Sequence, residues 1–250
     1  MEKKKKNKKK GLLFRIVKNH FTRVYKKTEI IGSENIPNEP SIIVGNHSQM
    51  HGPILAEVKF PYNRRTWCVG NMLHLKEVPA YAFQDFWGHK PKWTHWFYKI
   101  LSHLIAPLCV YIFTNADTIG VYKDTRGIST FRNSVKALNE GCHIIIFPEY
   151  HKKYNEIVND FQDKFVDLAR IYYKDTGREI SFVPMYNAVK LKKVVYGKPI
   201  KFDSNKSIEE QRISICEYLK SEITNLAKQL PVHTVIPYEN ISKKKYPLSK

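Results

Sequence analysis

SIIVGNHSQMHG, Ser41 to Gly52, is the stretch on which the reading of the whole chain turns. Its first half is a short, continuous apolar run rich in β-branched residues, which suits a strand buried on both faces. Its second half is polar and carries two histidines, His47 and His51. One other stretch has the same grammar: CHIIIFPE, Cys142 to Glu149, is again a β-prone run that ends on a polar residue. In open α/β sheets, ligands sit just beyond the carboxyl ends of the strands. Two buried strands ending in a histidine and a carboxylate therefore place His47 and Glu149 in one expected site.

Outward from this pair, strands and helices alternate. TEIIG (Thr28 to Gly32) reads as a strand, NIPNEP as a turn, and Pro53 to Lys59 as a helix with proline in its first turn. RTWCVG (Arg65 to Gly70) and DTIGVYK (Asp117 to Lys123) read as further strands. Ser129 or Thr130 is expected to cap a helix running to Glu140 and stopped by Gly141. A helix around Phe161 to Tyr173 and the strand pair FVPMYNAV and VVYGKPIKF follow. Ser207 and Glu210 then form a capping box for a final helix reaching about Leu230. The alternation predicts an α/β fold.

The chain has 250 residues, 42% of them hydrophobic, enough for one full core. Its four cysteines are scattered, which points to buried free thiols and a reducing compartment, and no signal peptide is read at the N-terminus. The formal charge is +19, and the two terminal decapeptides supply ten of those nineteen charges. Behind the N-terminal lysines, GLLFRIVKNHFTRVYKK repeats Leu13, Ile16 or Val17, Phe21 and Val24 at helical spacing among basic residues. A basic amphipathic helix after a lysine cluster suits an anionic membrane surface; a helix packed on the domain is the alternative. Residues 1–27 are accordingly set apart as a basic tail and membrane-surface helix, 28–235 as the main domain, and 236–250 as a basic C-terminal tail. The longest uncharged apolar run, Leu104 to Phe113, contains Pro107 and is short for a membrane span. With the aromatic segment Tyr81 to Tyr98 it suits a monotopic attachment surface; an ordinary aromatic-rich helical pair is the alternative. The excess lysines lie at the ends and no recognition motif appears, so nucleic acid is not an expected partner.

Four short blocks, in order, resemble the glycerolipid (lysophosphatidate) acyltransferase family between IGSENIP and YGKPI. Asn46 and His47 match the start of N-H-x-x-x-x-D, and Ile119 to Lys123 stands where I-P-V-D-R is found. Phe147, Pro148 and Glu149 match F-P-E-G; Val183-Pro184 and Gly197 to Ile200 match V-P and G-K-P-I. The resemblance implies a central mixed β-sheet flanked by helices. It implies transfer of an acyl group from acyl-CoA or acyl carrier protein to a hydroxyl of a lysophospholipid-like acceptor, with no cofactor or metal. It places the protein at the cytoplasmic face of a membrane, peripheral or monotopic. His47 is then the general base and Glu149 a second catalytic residue that binds the acceptor's head or orders the loop. Lys123 and Arg126 pair with the acceptor's phosphate, Asn46 and Pro148 line the site, and His51 is an auxiliary proton carrier.

Four positions depart from the pattern: Gly52 replaces the aspartate, Tyr150 replaces the glycine, and His151-Lys152 replace a Thr-Arg pair. Glu149, Asp124 and Glu57 are the acids able to take over orientation of His47, and the sequence leaves that choice open. A non-catalytic lipid- or acyl-chain-binding protein of the same fold is the alternative reading. The H-x-x-x-H spacing of His47 and His51 also matches two zinc ligands on a helix, but Gly52-Pro53 argues against a helix through His47.

Overall fold

Every residue of β2 (Ile42–Gly45) is buried, and its side chains alternate between two cores. Ile42 and Val44 join Ile144, Ile146 and Phe182 on one face; Ile43 joins Ile145, Val183 and Met185 on the other. This is why the run carries no polar alternation: neither face meets water. The computed structural model describes residues 10–150, 157–239 and 241–250. The remaining strands are β1 (Glu29–Ile31), β3 (Arg64–Val69), β4 (Ile119–Val121), β5 (His143–Ile146), β6 (Ser181–Ala188), β7 (Lys193–Tyr196) and β8 (Ile200–Lys201). The helices are α1 (Leu12–Val24), α2 (His51–Lys59), α3 (Val78–Ala82), α4 (His95–Asn115), α5 (Gly127–Asn139), α6 (Asp167–Thr176) and α7 (Ile208–Lys228).

The sheet is mixed, in the order β1-β7-β6-β2-β5-β3-β4, with β8 on β6. From β6 to β4 all neighbours are parallel; β7 and β8 run antiparallel to β6. Helices α5, α6 and α7 cover one face and α2 the other. On α7, Ile208, Ile215, Leu219, Ile223 and Leu226 are all buried, each side chain stabilising by about 1.5–3 kcal/mol. The capping box of Ser207 and Glu210 is formed as expected.

Two helix starts differ from the expectation. α5 begins at Gly127, before Ser129 and Thr130, because the Asp124 carboxylate accepts the Arg126 N–H at 2.9 Å and sets the turn early. Ser129 then donates to Arg126 O and Thr130 to Gly120 O. α6 begins at Asp167, after a 3₁₀ turn, because Phe161 is used elsewhere: it pairs in a short bridge with Glu149.

Residues 236–250, set apart above as a tail, are folded onto the domain. Ile236 is buried, Val235 N donates to Pro247 O, and Ser249 N donates to His233 O. α1 also differs. Its inward face is Phe14, with Val17 and Phe21 half-buried, while Leu13, Ile16 and Val24 point to solvent. The nine residues before Lys10 lie outside the described residues. α4 runs unbroken through Pro107 and, with the turn before it, is long and apolar enough to cross a membrane by length and composition.

Candidate active site

β2 and β5 are adjacent and parallel, so the loops after them meet at the sheet's carboxyl edge. His47 and Glu149 do come together there, but through the histidine's backbone. Glu149 Oε1 accepts the His47 N–H at 2.6 Å, and Oε2 accepts the Asn159 N–H at 3.0 Å. The returning strand of residues 157–162 closes this cage: Tyr150 N donates to Asp160 O and Gln162 N to Pro148 O. Glu149 is 1% exposed. Burial raises its pKa to about 7, against the two N–H donors that favour the anion. Of the two roles implied for Glu149, the geometry fits ordering of the loop. His151 and Lys152 lie outside the described residues.

The His47 imidazole answers a separate question. Its Nδ1 donates to the carbonyl of Gln49, two residues ahead. A carbonyl only accepts, so Nδ1 carries the proton and Nε2 keeps its lone pair. Phe147 lies edge-on to the ring at 5.4 Å, and Tyr238 leans over it at 4.6 Å. Burial among these rings lowers the His47 pKa to about 4, so the ring is neutral at pH 7. None of the three candidate acids orients it. Glu149 is on the backbone, Glu57 pairs with Lys18 and Arg64, and Asp124 pairs with Arg126.

The loop pays for this geometry in backbone strain. Ser48 and Gln49 have φ of +48° and +54°. Two left-handed non-glycine residues cost of order 1–2 kcal/mol each. Asn46 offsets part of the cost. It is 1% exposed, its Oδ1 accepts the Asn187 N–H at 2.7 Å, and its Nδ2 donates to Ser48 Oγ. Asn46 is therefore a staple between β2 and β6 and does not line the substrate site as expected. Pro148 is likewise buried in the bridge to Gln162. His51 turns away from His47 and shares a 2.6 Å hydrogen bond with Tyr25 of the segment after α1. Among the described residues, no three His, Cys, Asp or Glu side chains converge as a metal ion requires.

No family model matches the sequence, and no curated protein matches it. Among solved structures, the 1-acyl-sn-glycerophosphate (LPA) acyltransferase PlsC from Thermotoga maritima superposes with a TM-score of 0.52. The match covers 86% of this chain and 79% of that one, at 16% identity. This chain has the fold of that acyltransferase.

Within the acyltransferase fold, β4 lies two strands beyond β5, which puts its carboxyl end roughly 10 Å along the edge from Glu149. Lys123 is exposed there. Arg126 beside it stacks on Tyr122 and is already held by two carboxylates, Glu77 at 2.7 Å and Asp124 at 2.8 Å. Its charge is taken up by these two carboxylates, whereas the Lys123 side chain is exposed. Sequence reasoning missed Gln49, Asn159, Asn187 and Tyr238. Gln49 stands inside the strand-end loop but acts through its backbone carbonyl, the other three stand in no such motif, and no glycine marks the left-handed turn.

Two buried histidines set an acid limit on stability. His47 and His143 are both lowered to about 4 by burial. Their contribution is complete above the unfolded value of about 6.5 and is lost as pH falls through 4. Glu149, raised to about 7, acts in the opposite sense between its ordinary value of 4.5 and 7. The net is one excess proton taken up on unfolding, a slope of at most about 1.4 kcal/mol per pH unit. Urea midpoints are expected to fall steadily from pH 6.5 to 4.5, and His143→Asn should flatten that fall. An unchanged slope in the variant defeats the assignment.

Proposed function

We propose that this protein moves a fatty acyl group from a thioester donor, acyl-CoA or acyl carrier protein, to a hydroxyl of a lysophospholipid-like acceptor at a membrane surface. The observation that carries the reading is the neutral His47 ring, fixed with Nε2 as its basic nitrogen at the carboxyl edge of an acyltransferase fold. As the acceptor oxygen attacks the thioester carbonyl, Nε2 takes the hydroxyl proton. The tetrahedral intermediate then expels the thiolate, which recovers that proton from the imidazolium. A ring with a pKa near 4 surrenders it readily to a thiolate of pKa about 8.5. Lys123 is the residue we assign to the acceptor's phosphate.

One observation favours a second reading, an acyl-chain-binding protein with impaired catalysis: His47 Nδ1 meets a carbonyl where a carboxylate would also stabilise the imidazolium. The deciding experiment offers the purified protein acyl-CoA and acyl carrier protein thioesters with lysophosphatidate. Transfer from either donor supports the enzyme. Acyl-chain binding without transfer from either supports the second reading.

Membrane attachment is assigned to α1 and α4, which meet where Gly11 N donates to Asn115 Oδ1. Trp96, Phe97, Ile100, Leu104 and Leu108 form one exposed apolar face of α4, extended by Trp93 of the turn before it, and Leu12, Leu13 and Ile16 are exposed on α1. The opposite face of α4 is packed on α3 through Ala106 and Val78, and Asp117 is only two residues short of β4. A helix held this way lies along a bilayer with its aromatic end at the headgroups. Ile100→Asp with Leu104→Asp should weaken binding to phosphatidylglycerol vesicles more than tenfold with circular dichroism unchanged. Deleting residues 1–10 should mainly reduce the salt dependence of binding. Binding unaffected by both changes rejects this surface.

A further inference from the structure

Sequence reading made residues 236–250 a free basic tail, yet this segment reaches the loop that holds the catalytic histidine. Gln49 Nε2 donates to the Glu239 carbonyl at 3.1 Å and to Tyr246 Oη at 2.9 Å. Tyr238, from the same segment, leans on the His47 ring. The segment is itself anchored to the sheet. Ser249 Oγ bonds the His233 ring at 2.9 Å, and His233 Nε2 bonds Tyr186 Oη of β6 at 2.8 Å. Thr234 and Leu248 pair in an antiparallel bridge. The C-terminal segment is thus hydrogen-bonded to β6 near Ser249 and to Gln49 at Glu239 and Tyr246.

Gln49 is where that matters. Its φ of +54° is unfavourable for a residue with a Cβ, and that backbone conformation is what turns its carbonyl onto His47 Nδ1. Among the described residues, the Gln49 side chain makes two hydrogen bonds, both to the C-terminal segment. Without them, the carbonyl's own bond to His47 Nδ1 is left to oppose relaxation to negative φ, which would carry that carbonyl away.

We propose that the C-terminal segment is a positioning strap: by gripping Gln49 it holds the left-handed turn whose carbonyl orients His47, in place of the absent carboxylate. Gln49 and Tyr246 are positioning residues; they act through His47 and need not touch substrate. The inference rests on the acyltransferase reading for its kinetic consequence, but not for its structural one.

The test joins a spectroscopic and a kinetic readout on the full chain. In ¹⁵N-labelled wild type at pH 7, His47 should show a protonated Nδ1 and an unprotonated Nε2. Gln49→Ala should mix the two tautomers and lower kcat 10- to 100-fold with KM within twofold. Tyr246→Phe, which removes one of the two grips, should show a smaller effect of the same kind. Gln49→Gly removes the grip but relieves the penalty on positive φ, and should recover tautomer and rate relative to Gln49→Ala. A His47 tautomer identical in wild type, Gln49→Ala and Tyr246→Phe overturns the strap. So does a Gln49→Gly variant as impaired as Gln49→Ala. If wild type transfers no acyl group from any donor, the acyltransferase reading fails, and the tautomer comparison still decides the strap.

Discussion

His47→Ala is expected to lower kcat for acyl transfer between 10²- and 10⁴-fold while leaving the protein folded. The range is what a positioned general base contributes. The fold should survive because the interaction that ties position 47 to Glu149 uses the backbone N–H, which alanine retains. Alanine also removes a buried ring that resists protonation, so the variant should tolerate mild acid better than wild type. The measurement is single-turnover transfer to lysophosphatidate from acyl-CoA and from acyl carrier protein. Activity within threefold of wild type would remove His47 from the chemistry and leave its buried neutral ring as a packing element between Phe147 and Tyr238.

What could be read from sequence follows from where the information is local. β2 and β5 were legible because burial on both faces demands unbroken apolar runs; their alternation with helices gave an α/β fold, and that the sheet is mixed was implied only by the family resemblance. α1 was legible as a helix but not in its orientation. It has two apolar faces, and periodicity cannot say that Phe14, not Leu13 or Ile16, docks on the domain. The same limit applies to α4, where Pro107 suggested an interruption. A proline removes one helical hydrogen bond, and packing on α3 holds the helix through it.

The site was legible in its residues and opaque in its bonds. Glu149 reaches His47 by the backbone, and Asn46 by way of Ser48 and Asn187; neither partner has a sequence signature. The C-terminal strap was hidden by its own composition, since lysines at a chain end read as a solvated tail. Arg126 was assigned to the acceptor's phosphate through the family resemblance, as a cation close to the second block. Only three-dimensional structure brings Glu77, forty-nine positions earlier, onto its guanidinium.

Gly52→Asp reinstates the residue that the acyltransferase pattern carries there, and it is expected to damage this protein. A Cβ at position 52 would lie 2.5 Å from His47 O, 3.0 Å from Asn46 O and 3.0 Å from Phe147 Cε1. Two of these are backbone atoms of the loop after β2, which cannot swing aside as a flexible side chain would. The loop closes on this position through the Gly52 N–H to His47 O hydrogen bond at 3.1 Å. A carboxylate there would also be buried beside two carbonyl oxygens, with no donor among its nearest neighbours. Crowding alone costs about 1–3 kcal/mol and an unpaired buried charge adds several more. Gly52→Ala isolates the steric part, so the difference between the two variants in urea measures the charge. Expected are a clear loss of stability for Gly52→Ala, a larger one for Gly52→Asp, and no gain in transfer from either. A Gly52→Asp protein with wild-type stability and raised kcat would show that the loop can reopen for an aspartate. Otherwise Gly52 is a structural requirement of the tighter turn in which Gln49, held from the C-terminal segment, supplies the oxygen that fixes the His47 tautomer.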